Sequence, residues 1–192
     1  MTKKNILVFK HMPSQNPGIF RDFAESQNVN FIEIDLHAGD KIPDLKDFDG
    51  LWVMGGSMNV WEEDKYPWLI EEKEAIRYAV EDLKMPFLGI CLGHQLLAVA
   101  MGGEAIDTGR YEVGLFEIEP TKEGFNHPLL QNLKDSEKWV NAHLVEVIEA
   151  PENAIILATS EHCQNHVMQL GENAYSCQFH PEVCSHTLDG WM

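Results

Sequence analysis

The sequence predicts an α/β fold in which a mostly parallel central sheet is flanked by helices and carries additional strands in the C-terminal half. Three observations predict it. Residues 6–9, 51–54 and 87–90 are short continuous apolar runs, the composition of strands buried on both faces. The segments between them carry helical periodicity or loop chemistry. Beyond Gly103 the pattern changes to strand-like runs separated by turns.

The elements follow in order. Residues 6–9 form the first buried strand, and the stretch 11–18, with two prolines and a glycine, reads as a loop. Pro17 can open a short helix through Ser26. Residues 31–36 alternate apolar and acidic side chains, as in a more exposed strand. Asp49-Gly50 makes a turn into the buried strand 51–54, which Gly55-Gly56 stops. A helix is expected from about Pro67 to Leu83: Leu69, Ile76, Val80 and Leu83 share one side, with Glu71, Glu72, Lys73 and Glu81 largely elsewhere. The buried strand 87–90 then leads into a helix over about 93–101, ended by Gly102-Gly103. Residues 104–106, 113–119, 143–148, 154–160, 163–170 and 175–179 read as strands, with Gly171 and Asn173 marking a hairpin turn. No linker or repeat interrupts the 192 residues, so one domain over 1–192 is expected.

Composition narrows the function classes. The net charge of −17 argues against binding duplex nucleic acid, which needs a basic footprint. No apolar run approaches the roughly 20 residues of a membrane-spanning helix, and residues 1–4 do not resemble a secretory signal. A cytoplasmic location is expected, with Cys91, Cys163, Cys177 and Cys184 as free thiols.

The segment 87–95, Phe-Leu-Gly-Ile-Cys-Leu-Gly-His-Gln, carries the chemistry. A buried strand ends and a helix begins at once, with Cys91 at the corner and glycines two residues to either side. Such a turn crowds the backbone and needs small neighbours. It also sets the sulfur at a helix N-terminus, where the dipole favours a thiolate. Cys91 is therefore the expected nucleophile, alkylated faster than the other three cysteines. Gly55-Gly56 ends a neighbouring strand on the same carboxyl edge, so the N–H groups of Gly56 and Leu92 are the candidate oxyanion hole. In Phe179-His180-Pro181-Glu182, an extended chain points His180 and Glu182 to one side, as base and orienting carboxylate.

Together these segments resemble the class I glutamine amidotransferase family over nearly the whole chain. The matching pieces are residues 54–59, 89–95 and 178–182. Residues 61–68 look like its stand-alone, GMP-synthase-like branch. The resemblance implies the flavodoxin-like fold of that family and a Cys91–His180–Glu182 triad. It implies glutamine hydrolysis through a γ-glutamyl thioester, releasing ammonia and glutamate. Gln95, with Gly55, is the implied substrate-binding element, a separate synthase subunit is the implied partner, and no metal or organic cofactor is expected. Two features depart from the family pattern. Leu144-Val145 follow His143 where a polar or glycine-containing segment is usual, and the chain stops at Trp191-Met192 where relatives continue into a C-terminal helix. Two further readings accompany the first: a γ-glutamyl peptide or γ-glutamyl-amine hydrolase using the same triad, and a partner-dependent or non-catalytic synthase-binding subunit.

Other clusters are weaker. Cys177, His180, Cys184 and His186 match no standard zinc spacing. Residues 161–166 read as a polar hairpin end, and His94 as a packing residue of the elbow helix.

Overall fold

A computed structural model describes residues 2–131, 136–185 and 187. The chain runs through β1 (Lys4–Lys10), α1 (Phe20–Ser26), β2 (Val29–Asp35), β3 (Gly50–Val53), α2 (Trp68–Arg77), β4 (Phe87–Ile90) and α3 (Leu92–Ala100). It continues through β5 (Glu104–Pro120), α4 (Lys122–Phe125), β6 (Glu137–Glu149), β7 (Ala154–Thr159), β8 (Val167–Leu170) and β9 (Ala174–Cys177). Among the described residues the strands join in the order β2-β1-β3-β4-β9-β8-β7-β5-β6. The first five of that order pair in parallel, and the remaining pairings are antiparallel, so the sheet is mixed. Trp191-Met192 and His186 lie outside the described residues.

Pleating splits the core between the two faces. Leu7 and Phe9 join the cluster of Leu51, Leu69, Ile76 and Leu96, while Val8 between them joins that of Met54, Ile90, Leu157 and Phe179. Helix α2 ends at Arg77, and its last apolar turn, Tyr78–Asp82, winds on as a π-helical turn. The predicted strands 104–106 and 113–119 are one strand, β5. Its Asp107-Thr108-Gly109 has turn chemistry, with Gly109 at φ +70° and its N–H donating to Asp107 Oδ1 at 2.7 Å. The ladder absorbs this excursion as a register shift between Asp107 and Glu112. Strand β6 starts six residues before His143, because its early residues pair with the far half of β5. Residues 163–166, expected in a strand, form the turn before β8.

The elbow is built where α3 crosses the end of β3. A methyl on Gly93 would stand 2.1 Å from the Val53 carbonyl oxygen, and one on Gly89 would stand 2.5 Å from the Gly93 carbonyl oxygen. Both obstacles are backbone atoms, so no side-chain rotation relieves them. Gly93→Ala is expected to cost about 3 kcal/mol or more, the upper end for overpacking. Urea unfolding checks this; a wild-type midpoint would remove the close-packing account of this glycine.

Candidate active site

Strand β4 delivers Cys91 to the carboxyl edge of the sheet, at φ +53°, ψ −103°, as the residue that caps α3. A non-glycine residue in this region costs of order 1–3 kcal/mol and persists only when its surroundings hold it. They do: the Cys91 N–H donates to Cys177 O at 2.9 Å, and its carbonyl accepts from the N–H groups of His94 and Gln95, each at 3.1 Å. The side chain is 6% exposed and opens onto a cavity of about 370 Å³.

The candidate base comes from the segment after β9. That strand ends at Cys177, and Pro181-Glu182 form a turn rather than a strand end. The pairing expected of an extended chain nevertheless forms, with His180 Nδ1 2.7 Å from Glu182 Oε1 and both side chains buried. The His180 N–H donates to Val140 O at 2.9 Å, which fixes the segment to β6. With Nδ1 engaged, Nε2 is left for Cys91, to which the ring is hydrogen-bonded. Burial disfavours the imidazolium, but the Cys91 charge and hydrogen bond, followed by those of Glu182, outweigh it and push His180 up to about 10.

Gly55 and Gly56 sit opposite. A Cβ on Gly55 would meet Gln15 Oε1 at 2.7 Å and His180 Cε1 at 3.1 Å, so this glycine makes room for the His180 ring. A Cβ on Gly56 would meet Leu92 Cδ2 at 2.7 Å, so the two candidate oxyanion-hole residues adjoin. Gln95 lines the cavity, with Nε2 donating to Val145 O at 3.0 Å and to Gln178 Oε1 at 3.2 Å. Leu144 lines it too, with His143. Burial pushes His143 down to about 4, helped by the charge of His180. His94 points away into the core, with Nδ1 2.9 Å from Ser176 Oγ, and burial pushes it down to about 3.

One support of the site has no counterpart among the residues expected from the sequence. His11 is fully buried, with Nδ1 2.9 Å from Gly55 O and Nε2 2.8 Å from Glu72 Oε1, and it stacks on Trp68. Burial disfavours its charge, but Glu72 and the backbone carbonyls raise its pKa. Glu72 therefore belongs to the buried face of α2, not its polar one. The signal was present: Glu72 lies three residues after Leu69 and four before Ile76, both on the core side.

A larger hollow of about 670 Å³, lined by Val80, Lys84, Asn153, Glu172 and Asn173 among others, opens at the amino ends of β4 and β9. It lies at the opposite edge from Cys91 and holds neither Cys91, His180 nor Glu182.

The model of the class I glutamine amidotransferase family matches residues 14–191. The chain belongs to that family. It is 36% identical over 153 residues to the glutamine-hydrolysing GMP synthase component of Sulfolobus acidocaldarius, covering 78% of this chain and 74% of that one. Among solved structures, a glutamine amidotransferase from Thermotoga maritima superposes with a TM-score of 0.90 at 28% identity, covering all of this chain and 81% of that one. Another, from Methylobacillus flagellatus, superposes at 0.88 with 29% identity, covering all of this chain and 75% of that one. These likenesses bear out the predicted α/β class and family.

Two outcomes follow from the electrostatics. Iodoacetamide should modify Cys91 well before Cys163 and Cys177, whose buried thiols are pushed up by desolvation. Peptide mapping checks this, and equal labelling would contradict an activated Cys91. In the wild type, His180 should hold its proton until the pH rises through about 10. Cys91→Ser removes the largest contribution that raises it and leaves the burial, so the proton should be lost at a lower pH. NMR titration of the ring reports the difference; an unchanged midpoint would break the link between the two residues.

Proposed function

We propose that this protein hydrolyses the side-chain amide of glutamine, with Cys91, His180 and Glu182 as its triad. The observation that carries the reading is Cys91 at its strained corner, hydrogen-bonded to a His180 ring that Glu182 holds from the other side. Cys91 attacks the amide carbon, and the N–H groups of Gly56 and Leu92 receive the developing oxyanion. His180 gives its proton to the leaving nitrogen, ammonia departs, and a γ-glutamyl thioester remains. His180 then takes a proton from water, which attacks the thioester and releases glutamate. The cavity of about 370 Å³ suits a small substrate, with Gln95 and Gly55 at the glutamyl portion. The relatives among glutamine-hydrolysing GMP synthase components support a separate synthase as the user of the ammonia. Among the described residues no helix is long and apolar enough to cross a membrane.

A second reading keeps the chemistry and changes the substrate. Leu144 lines the cavity where the family pattern has a polar or glycine-containing segment, which favours a γ-glutamyl peptide or amine over free glutamine.

Glutamate release from glutamine and from γ-glutamyl dipeptides tests both. Cys91→Ser should lower kcat on the preferred substrate by at least about 10³-fold. Full activity in that variant would end the proposal. Faster turnover of glutamine than of dipeptides would end the second reading. An isolated chain that turns over neither, and becomes active only with a synthase present, would make it a partner-dependent subunit.

A further inference from the structure

Beside the triad lies a second buried cluster that the proposed hydrolysis does not use. Glu112 of β5 and His143 of β6 are direct partners in the antiparallel ladder. His166 reaches them from the turn before β8, and one ligand atom from each residue lies within 4.8 Å of the others. The three residues are 2%, 6% and 0% exposed. Glu112 Oε2 is 3.0 Å from His143 Nε2 and 4.0 Å from His166 Nε2.

The 3.0 Å contact lacks the angle of a hydrogen bond, and the 4.0 Å one is too long for it. Among the described residues, no hydrogen bond of normal geometry reaches Glu112 Oε2 or the buried ring nitrogens of His143 and His166; only backbone groups, of Val145 and of His166 itself, approach the two rings. Leaving such atoms unsatisfied costs about 1–3 kcal/mol each, so a native interior seldom keeps several together without a ligand between them. A second buried carboxylate, Glu146, lies on β6 three residues after His143, and the half-exposed Arg110 stands 3.7 Å from it.

We propose that Glu112, His143 and His166 form a binding site for a divalent transition-metal cation, with zinc as the best match. Two imidazoles and one carboxylate are a borderline donor set, suited to zinc and poorly suited to magnesium or calcium, which prefer oxygen ligands. Metal–ligand bonds of about 2.0–2.2 Å place neighbouring donors of a tetrahedral site roughly 3.3 Å apart, and the 3.0 and 4.0 Å separations bracket that spacing. The fourth position falls to water. Chain topology gives the ion a task. It ties the long β5–β6 ribbon to the segment entering β8, and His143 also lines the Cys91 cavity, so the ion braces the wall that presents Leu144. This revises the expectation of a metal-free chain. Residues 161–166 read as a polar hairpin end because His166 finds its partners more than 20 residues away.

The test is Co²⁺ and Zn²⁺ binding to the folded, chelator-stripped chain carrying Cys91→Ser, so that the nucleophile cannot supply a ligand. Co²⁺ should bind at one equivalent, with visible d–d bands and no sulfur-to-cobalt charge-transfer band, and Zn²⁺ should displace it. Zn²⁺ should also raise the melting temperature. Adding Glu112→Gln or His166→Gln should weaken binding by about 100-fold or more. No saturable binding to the Cys91→Ser chain would overturn the proposal, and that measurement needs neither ligand variant to fold. A sulfur charge-transfer band, which would place the metal at Cys163, Cys177 or Cys184, would overturn the ligand assignment, as would undiminished affinity in a folded ligand variant.

Discussion

The carboxyl edge of the sheet depends on one steric constraint: α3 must begin within contact of the β3 backbone. Gly93 leaves no room for even a methyl before the Val53 carbonyl, and Gly89 leaves none before Gly93 itself. A helix started so close to its strand forces the residue between them through an abrupt reversal, and Cys91 takes positive φ to make it. The strain is local. It is held by the hydrogen bond to β9, by the first helical bonds of α3, and by packing of Leu92, Leu96 and Leu97 in the core. A buried apolar core thus holds Cys91, the proposed nucleophile, in a conformation it would not adopt alone.

The remaining parts of the site are held by pairings made elsewhere. His180 owes its position to a backbone bond to Val140 of β6, and Gly55 to the buried His11–Glu72 pair between the first loop and α2. Gln95 is tied across to Val145. A buried ion pair of the His11–Glu72 kind contributes little net stability once desolvation is counted, but removing one partner strands the other. Its value here is positional: it fixes the carbonyl of Gly55, and with it the direction of the next N–H, that of Gly56.

Local features were legible in the sequence and long-range ones were not. The strand 87–90 and the start of α3 near Gly93 followed from apolar runs and glycine spacing, because a sharp corner imposes its chemistry on adjacent residues. The His180–Glu182 pair was legible for the same reason: its members lie two residues apart, and their contact survives even though the chain turns there. The unity of β5 was not legible, since the Asp107-Thr108-Gly109 turn chemistry is real and only the partner strand shows that the ladder resumes after it. Glu72 was assigned to the wrong face because its charge outweighed its position. A buried acid can be recognised only when its partner, here 61 residues away, is in place.

The Glu112–His143–His166 cluster belongs to this second class, and it shows why the β5 bulge matters. The register shift between Asp107 and Glu112 sets Glu112 opposite His143; without it the ladder would present a different pair. A bulge costs ladder hydrogen bonds and is kept where it re-aims a side chain. The residues it re-aims are acidic and imidazole groups facing inward between the sheet and the Cys91 cavity, not apolar groups completing the core. The second half of the chain therefore does more than widen the sheet. It carries the wall of the cavity on a ribbon of two long strands, which buries Ala105, Ile118, Val145 and Val147 along one part and polar groups along another. With the proposed ion bound, Glu112, His143 and His166 would tie that polar part together.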